Sequence, residues 1–173
     1  MNHYPRAYIE YLIYFQGERD LFECHEVMEE HWKKDKQRHW LALIQLAVAL
    51  YHQRQGNHAG AKKLISKVVF MVSQDPHKYD ELGMDYNHLY VSLIALEKKM
   101  KASAPYTPFN IELNDKQLEA TCKEICKEKG LNWKGQEDHY DPNLVLKHKK
   151  RDRTDVIQAR KSSLIQKKKE REA

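Results

Sequence analysis

Glycine and proline are scarce, six and five residues among 173. That scarcity disfavours a turn-rich β-fold and favours long helices. No run of about 20 apolar residues occurs, so no segment is expected to span a bilayer, in keeping with a mean hydropathy of −0.84. The first residues, MNHYPRAYIEYL, hold no basic stretch leading into an apolar core and a small-residue cleavage site, so no secretory signal is expected. Cysteine is rare too. Three of them, an odd number, read as reduced thiols in a cytoplasmic protein. Cys122 and Cys126, one helical turn apart, would supply only two metal ligands and are expected to pack as small apolar residues.

What the chain does have is helical periodicity. Tyr4 to Phe15 is aromatic-rich, with Gly17 as its expected stop. Asp20-Leu-Phe-Glu23 has the form of a capping box opening a second helix that runs to about Lys34. Trp40 to Gln55 is apolar almost all the way round, which marks it as the central buried helix. Gly56-Asn57 suits a left-handed stop and a new N-cap. Ala61, Leu64, Ile65, Val68, Met71 and Val72 keep helical spacing until Asp75-Pro76 breaks it. Leu89, Leu93, Leu96 and Met100 repeat at steps of three and four. Beyond the loop Ser103 to Pro108, Asn114 to Gln117 caps a further helix that Gly130 closes. The expected fold is all-α, an up-and-down bundle of about five core helices plus one appended helix and a basic C-terminal tail. The expected division is 1–102 for the bundle, 103–135 for the loop and appended helix, and 136–173 for the tail, a lone helix or disordered.

The net charge of +5 is unevenly spread. From Asn143 to Ala173 there are 11 Lys and Arg against 4 Asp and Glu, a net +7, which leaves −2 on the rest of the chain. The tail cations Lys147, Lys149, Lys150, Arg151, Arg153, Lys167, Lys168 and Lys169 could contact the phosphates of RNA or an acidic protein surface. Aromatics are absent beyond Tyr140, so this segment has nothing on which to stack a base. A solvated tail is the simpler reading.

Chemistry-bearing residues are densest between Phe22 and Trp32. At about 100° per residue, Leu21, His25, Met28 and Trp32 share a face, with Glu29 at its border one turn after His25 and Glu26 further round. A buried imidazole needs a partner, because an unpaired polar group costs about 1–3 kcal/mol, and Glu29 is within helical reach. On the central helix, Gln45 and His52 share a face across small Ala49. An antiparallel hairpin turning near Asp35 to Arg38 would bring His25, Glu29, Gln45 and His52 together. Three readings follow: a hydrogen-bond network that fixes helix register, a small polar pocket, or a divalent-metal site with His25, Glu29 and His52 as ligands and Glu26 as the general base of a hydrolase.

Other chemistries lack their residues. His25-Glu26 is followed by Glu29 and not by a second histidine at the zincin spacing. No histidine has a glutamate three positions before it, as a di-iron bundle requires. Asp85-x-x-His88 is the nearest match and reads as a helix cap. There is no Gly-x-Gly-x-x-Gly, no phosphate loop with its lysine and no nucleophile elbow.

His25-Glu26-x-x-Glu29-x-x-Trp32, followed by Leu43-Ile44-Gln45-Leu46-Ala47, Tyr51-His52, Gly56-Asn57 and Gly60-Ala61, resembles the bacterial and archaeal family called domain of unknown function 309, over about residues 5–100. The resemblance implies a small all-helical protein whose hallmark residues match His25, Glu26, Glu29, Trp32, Gln45, His52, Gly56 and Asn57. It implies no activity, and it does not reach the Pro-containing loop, the Asn114 helix or the tail.

Overall fold

Short polar side chains open most of the helices by taking up amides that the first turn leaves free. Asp20 accepts from the Glu23 amide at 3.0 Å, Asn57 from Gly60 at 3.1 Å and Asp85 from His88 at 3.1 Å. Asp115 accepts from Gln117 at 2.9 Å and Leu118 at 3.1 Å. In the computed structural model, which describes residues 4–136, the elements are α1 (Arg6–Ile13), a π-helical turn (Tyr14–Glu18), α2 (Leu21–Asp35), α3 (Arg38–Arg54), α4 (His58–Gln74), α5 (Pro76–Glu81), α6 (Tyr86–Lys101) and α7 (Lys116–Glu128), and these caps open α2, α4, α6 and α7. No strand occurs among the described residues; Met84 and Leu113 form an isolated bridge. The fold is an all-α bundle. The expected tail lies outside the described residues.

Asp85 therefore caps α6, as its spacing to His88 implied. Four local details differ from expectation, one of them α5 itself, which follows Asp75-Pro76 where only a break was expected. The first helix does not stop at Gly17; it loosens into the π-turn and ends at Arg19, whose φ is 63°. Gly17 serves a different purpose, since a Cβ there would lie 2.7 Å from the Cys126 sulfur of α7. The cap of α7 is Asp115 and not Asn114. Between α2 and α3 only Lys36 and Gln37 remain outside helix. Lys36 (φ 58°) donates its amide to Trp32 at 2.7 Å and lays its ammonium 4.3 Å from the Trp32 ring centre.

α3 is the centre of the bundle, packed between α2 and α4, while α4 also meets α6, and α1 meets α2 and α7. Tyr8 and Tyr11 of α1 are wholly buried, and each hydroxyl finds a backbone carbonyl, Leu82 and Leu43 respectively, at 2.7 Å. Cys24, Cys122 and Cys126 are buried free thiols. Burial pushes the Cys122 thiol up to about 12, so it stays protonated and packs as an apolar group.

The π-turn fastens the 103–136 segment. Gln16 makes a two-way pair with the Ile111 backbone, donating at 2.9 Å and accepting at 2.7 Å. The Arg19 guanidinium donates to the carbonyls of Phe109 at 2.7 Å and Gly135 at 3.0 Å, and to the Asn110 side chain at 2.5 Å. Phe109 and Ile111 thereby enter the core. Neither Gln16 nor Arg19 shows as a brace in a sequence pattern, because both act on backbone atoms about 90 residues away.

His39, buried against Trp40 with ring centres 4.2 Å apart, has its pKa lowered from 6.5 by burial and by nearby Lys78. The folded state thus favours the neutral ring, so its contribution to stability is present above the unfolded value and is lost as pH falls through the folded one. The melting temperature is expected to fall between about pH 7.5 and about pH 5.5 and to fall less in His39→Gln. An equal fall in both proteins would rule out His39 as the source.

Candidate functional site

The buried stripe of α2 is Leu21, Cys24 and Met28. His25 is one residue out of that line, at the border of the core and not in its middle as the helical projection suggested. Its side chain is 23% exposed, against 37% for Glu29 and 42% for Glu26. There it stands between two carboxylates: Nε2 is 3.0 Å from Glu29 Oε2, and Nδ1 is 3.7 Å from Glu26 Oε1. Lys33 Nζ lies 3.8 Å from the other oxygen of Glu29. Taking one ligand atom from each of His25, Glu26 and Glu29, all three lie within 4.8 Å of one another.

Ring contacts across the hairpin give its register. Phe22 meets Tyr51 at 6.3 Å and His31 meets Trp40 at 5.0 Å, so α2 and α3 are antiparallel and Gln45 stands across from about residues 26–28. On α3, Leu41, Gln45, Val48 and His52 form the half-buried stripe of an otherwise buried helix. They fall at steps of four, three and four, hence on one face. The Gln45 amide oxygen is buried and has no hydrogen-bond partner among the described residues, and the same holds for the Trp32 indole nitrogen.

His52 is not brought into the His25 cluster. Its Nδ1 lies 3.2 Å from the Asn57 side-chain amide, and its Cδ2 would be 3.1 Å from a Cβ on Gly60, so the ring serves the α3–α4 turn. Burial lowers its pKa from 6.5. Of the residues singled out from the sequence, the structure joins His25, Glu29 and Glu26. Gln45 lies on α3 at the level of residues 26–28 of α2, and His52 stands apart at the end of that helix. Glu26, a candidate from the sequence although helical projection set it further round, reaches the cluster because a long flexible side chain one residue on can curl back. The tail residues Lys147, Lys149, Lys150, Arg151, Arg153, Lys167, Lys168 and Lys169 lie outside the described residues.

Away from that cluster, a cleft of about 320 Å³ between α6 and residues 107–112 is lined by His88, Ser92, Lys99, Thr107, Asn110 and Glu112 among others. Glu112 there is committed to Lys134 at 2.9 Å and Asn110 to Arg19.

The family model described as domain of unknown function (DUF309) matches residues 8–64. An uncharacterized protein of Bacillus subtilis (strain 168), YpuF, is 37% identical over 173 residues, covering 98% of this chain and 99% of its own length. The chain belongs to the DUF309 family. The span matched by the DUF309 model runs from α1 into α4 and includes His25, Glu26, Glu29, Gln45 and His52, along with Gly60. The likeness to YpuF extends over almost the whole chain. The 103–136 segment and the tail are therefore shared with that relative, which the family motif alone did not suggest. No solved structure matches the chain. What this establishes is an uncharacterised helical module. No helix among the described residues is long and apolar enough to cross a membrane.

Proposed function

We propose that the protein is a non-catalytic cytoplasmic module that binds a small polar or cationic ligand on the face shared by α2 and α3. In this reading His25, Glu26 and Glu29 form one wall, Gln45 lies across from them and His52 closes the α4 end. The bundle of residues 1–102 carries the site, residues 103–135 brace it, and the tail from 136 onward is a separate element. Its buried free thiols suit a reducing compartment.

The observation that carries the proposal is the Gln45 oxygen, buried without a partner. A network that existed to fix helix register would need every buried member paired, since a half-satisfied one is worse than an apolar core. The carboxylates of Glu26 and Glu29, which flank His25, suit a ligand rich in donors or positive charge.

Gln45→Leu tests this. Removal of a buried amide oxygen that has no partner is expected to leave stability in urea unchanged or to raise it by up to about 1 kcal/mol. A loss of more than about 1 kcal/mol would show that the amide is a structural member and overturn the ligand-face reading. His25 is also expected to react readily with an imidazole-acylating reagent, because its ring is reached by solvent.

A further inference from the structure

We propose that the cleft between α6 and residues 107–112 binds a small molecule through an oxyanion, a carboxylate or a phosphate, with Lys99 as its charge partner. The cleft encloses about 320 Å³, near the lower end of ordinary small-ligand sites. His88, Ser92, Ala95 and Lys99 line one wall, and their spacing of four, three and four puts them on one face of α6. The opposite wall runs antiparallel to the helix. The Asp85 amide at the start of α6 donates to the Glu112 carbonyl at 2.9 Å, while only residues 102–106 join the end of α6 to Thr107. Lys99 and Thr107 therefore mark one end of the cleft and His88 and Glu112 the other, about 16 Å away along the helix.

The charged and amide acceptors of the cleft are engaged, and its donors are not. Glu112 is paired with the Lys134 ammonium at 2.9 Å, which offsets its charge. The Asn110 side-chain oxygen accepts from the Arg19 guanidinium at 2.5 Å. That contact fixes the orientation of the amide and leaves its NH2 group to donate. Ser92 Oγ is 3.3 Å from His88 Nδ1. With the hydroxyl donating, the ring carries its proton on Nε2, a further donor. Lys99 has no carboxylate in ion-pair reach among the described residues, whereas Lys101 holds Glu97 at 3.6 Å. An oxyanion supplies the acceptor that these groups lack, and a charged one makes the stronger bond. The cleft lies outside the span matched by the family model and is independent of the α2–α3 face. Carboxylates dominate that face, so the two sites take ligands of opposite charge.

The test uses the full chain in NMR titrations at constant ionic strength. Inorganic phosphate, glycerol 3-phosphate and succinate are the probes, and chloride is the control. The expected result is a saturable shift of backbone amides in 88–99 and 107–112, half complete below about 10 mM probe, with no such shift from chloride. Tighter binding of glycerol 3-phosphate than of succinate assigns a phosphate ligand, and the reverse order a carboxylate. Lys99→Gln is expected to weaken binding at least fivefold while leaving the melting temperature unchanged, because its ammonium serves no partner in the fold. Lys98→Gln, exposed on the same helix and not part of the cleft wall, should bind as the parent does. Three results would each overturn the assignment: no saturable shift with any probe, shifts centred outside the cleft, or equal losses from Lys99→Gln and Lys98→Gln.

Discussion

Arg19→Met is expected to lower stability by about 3–5 kcal/mol. Arg19 is 4% exposed, and its guanidinium holds Phe109, Asn110 and Gly135, while its own carbonyl accepts from the Arg54 guanidinium at 2.8 Å. Methionine retains most of the apolar stem but cannot donate. The two carbonyls would then be left without these donors, where each hydrogen bond to a charged group contributes about 1.5–3 kcal/mol. The loss corresponds to a melting temperature lower by about 10–15 °C for a domain of this size. Faster proteolysis within 103–113 is expected as well, since the loop loses its anchor. Arg19→Lys should restore only part of the loss, because an ammonium cannot fork to three acceptors in one plane. A change under about 1 kcal/mol for Arg19→Met would mean that Phe109 and Ile111 hold the segment by apolar contact alone.

Gly83→Ala is expected to cost about 2–4 kcal/mol, and comparison with Gly56→Ala separates two causes. Both glycines have positive φ, 75° and 80°, a conformation that costs a residue with a Cβ about 1–2 kcal/mol. Around Gly56 nothing lies within 4 Å of the added carbon, so conformational strain is the whole effect. At Gly83 the new carbon would also meet Tyr4 Oη at 2.7 Å and Asp115 Cβ at 2.9 Å. Tyr4 Oη donates to Asp115 at 2.6 Å, and the Gly83 carbonyl accepts from the Asn114 amide at 2.7 Å. Overpacking there would therefore disturb the start of α7 as well as the turn before α6. Paired urea denaturation curves are the measurement. Equal losses for the two variants would show that the Gly83 neighbours give way freely.

Much of the architecture was legible because its causes are local. Asp20, Asn57 and Asp85 cap their helices by reaching three residues along the chain, and Asp75-Pro76 ends α4 for the same kind of reason. The α2–α3 hairpin was legible too, since a short polar stretch between two apolar helices leaves few ways to fold back. The fate of His25 was half legible. Spacing placed it one turn from Glu29, but not on which side of the core boundary it would fall. Cys24 took the buried position, because a small thiol packs there without a hydrogen-bonding demand. The turn chemistry at residues 14–19 was misread, since glycine is the usual stop and here Arg19 takes the left-handed position.

Residues along the chain by themselves determined that this is a helical bundle, where most of its helices begin, and which residues could carry chemistry, because capping, periodicity and turn preference act over a few positions. Only the tertiary structure decided that Gln16 and Arg19 bind the 109–111 backbone and that His52 turns to Asn57. Those outcomes depend on which atoms meet across helices. A shift of one residue in helix phase or of an ångström in packing changes the partner, and helical spacing does not resolve either.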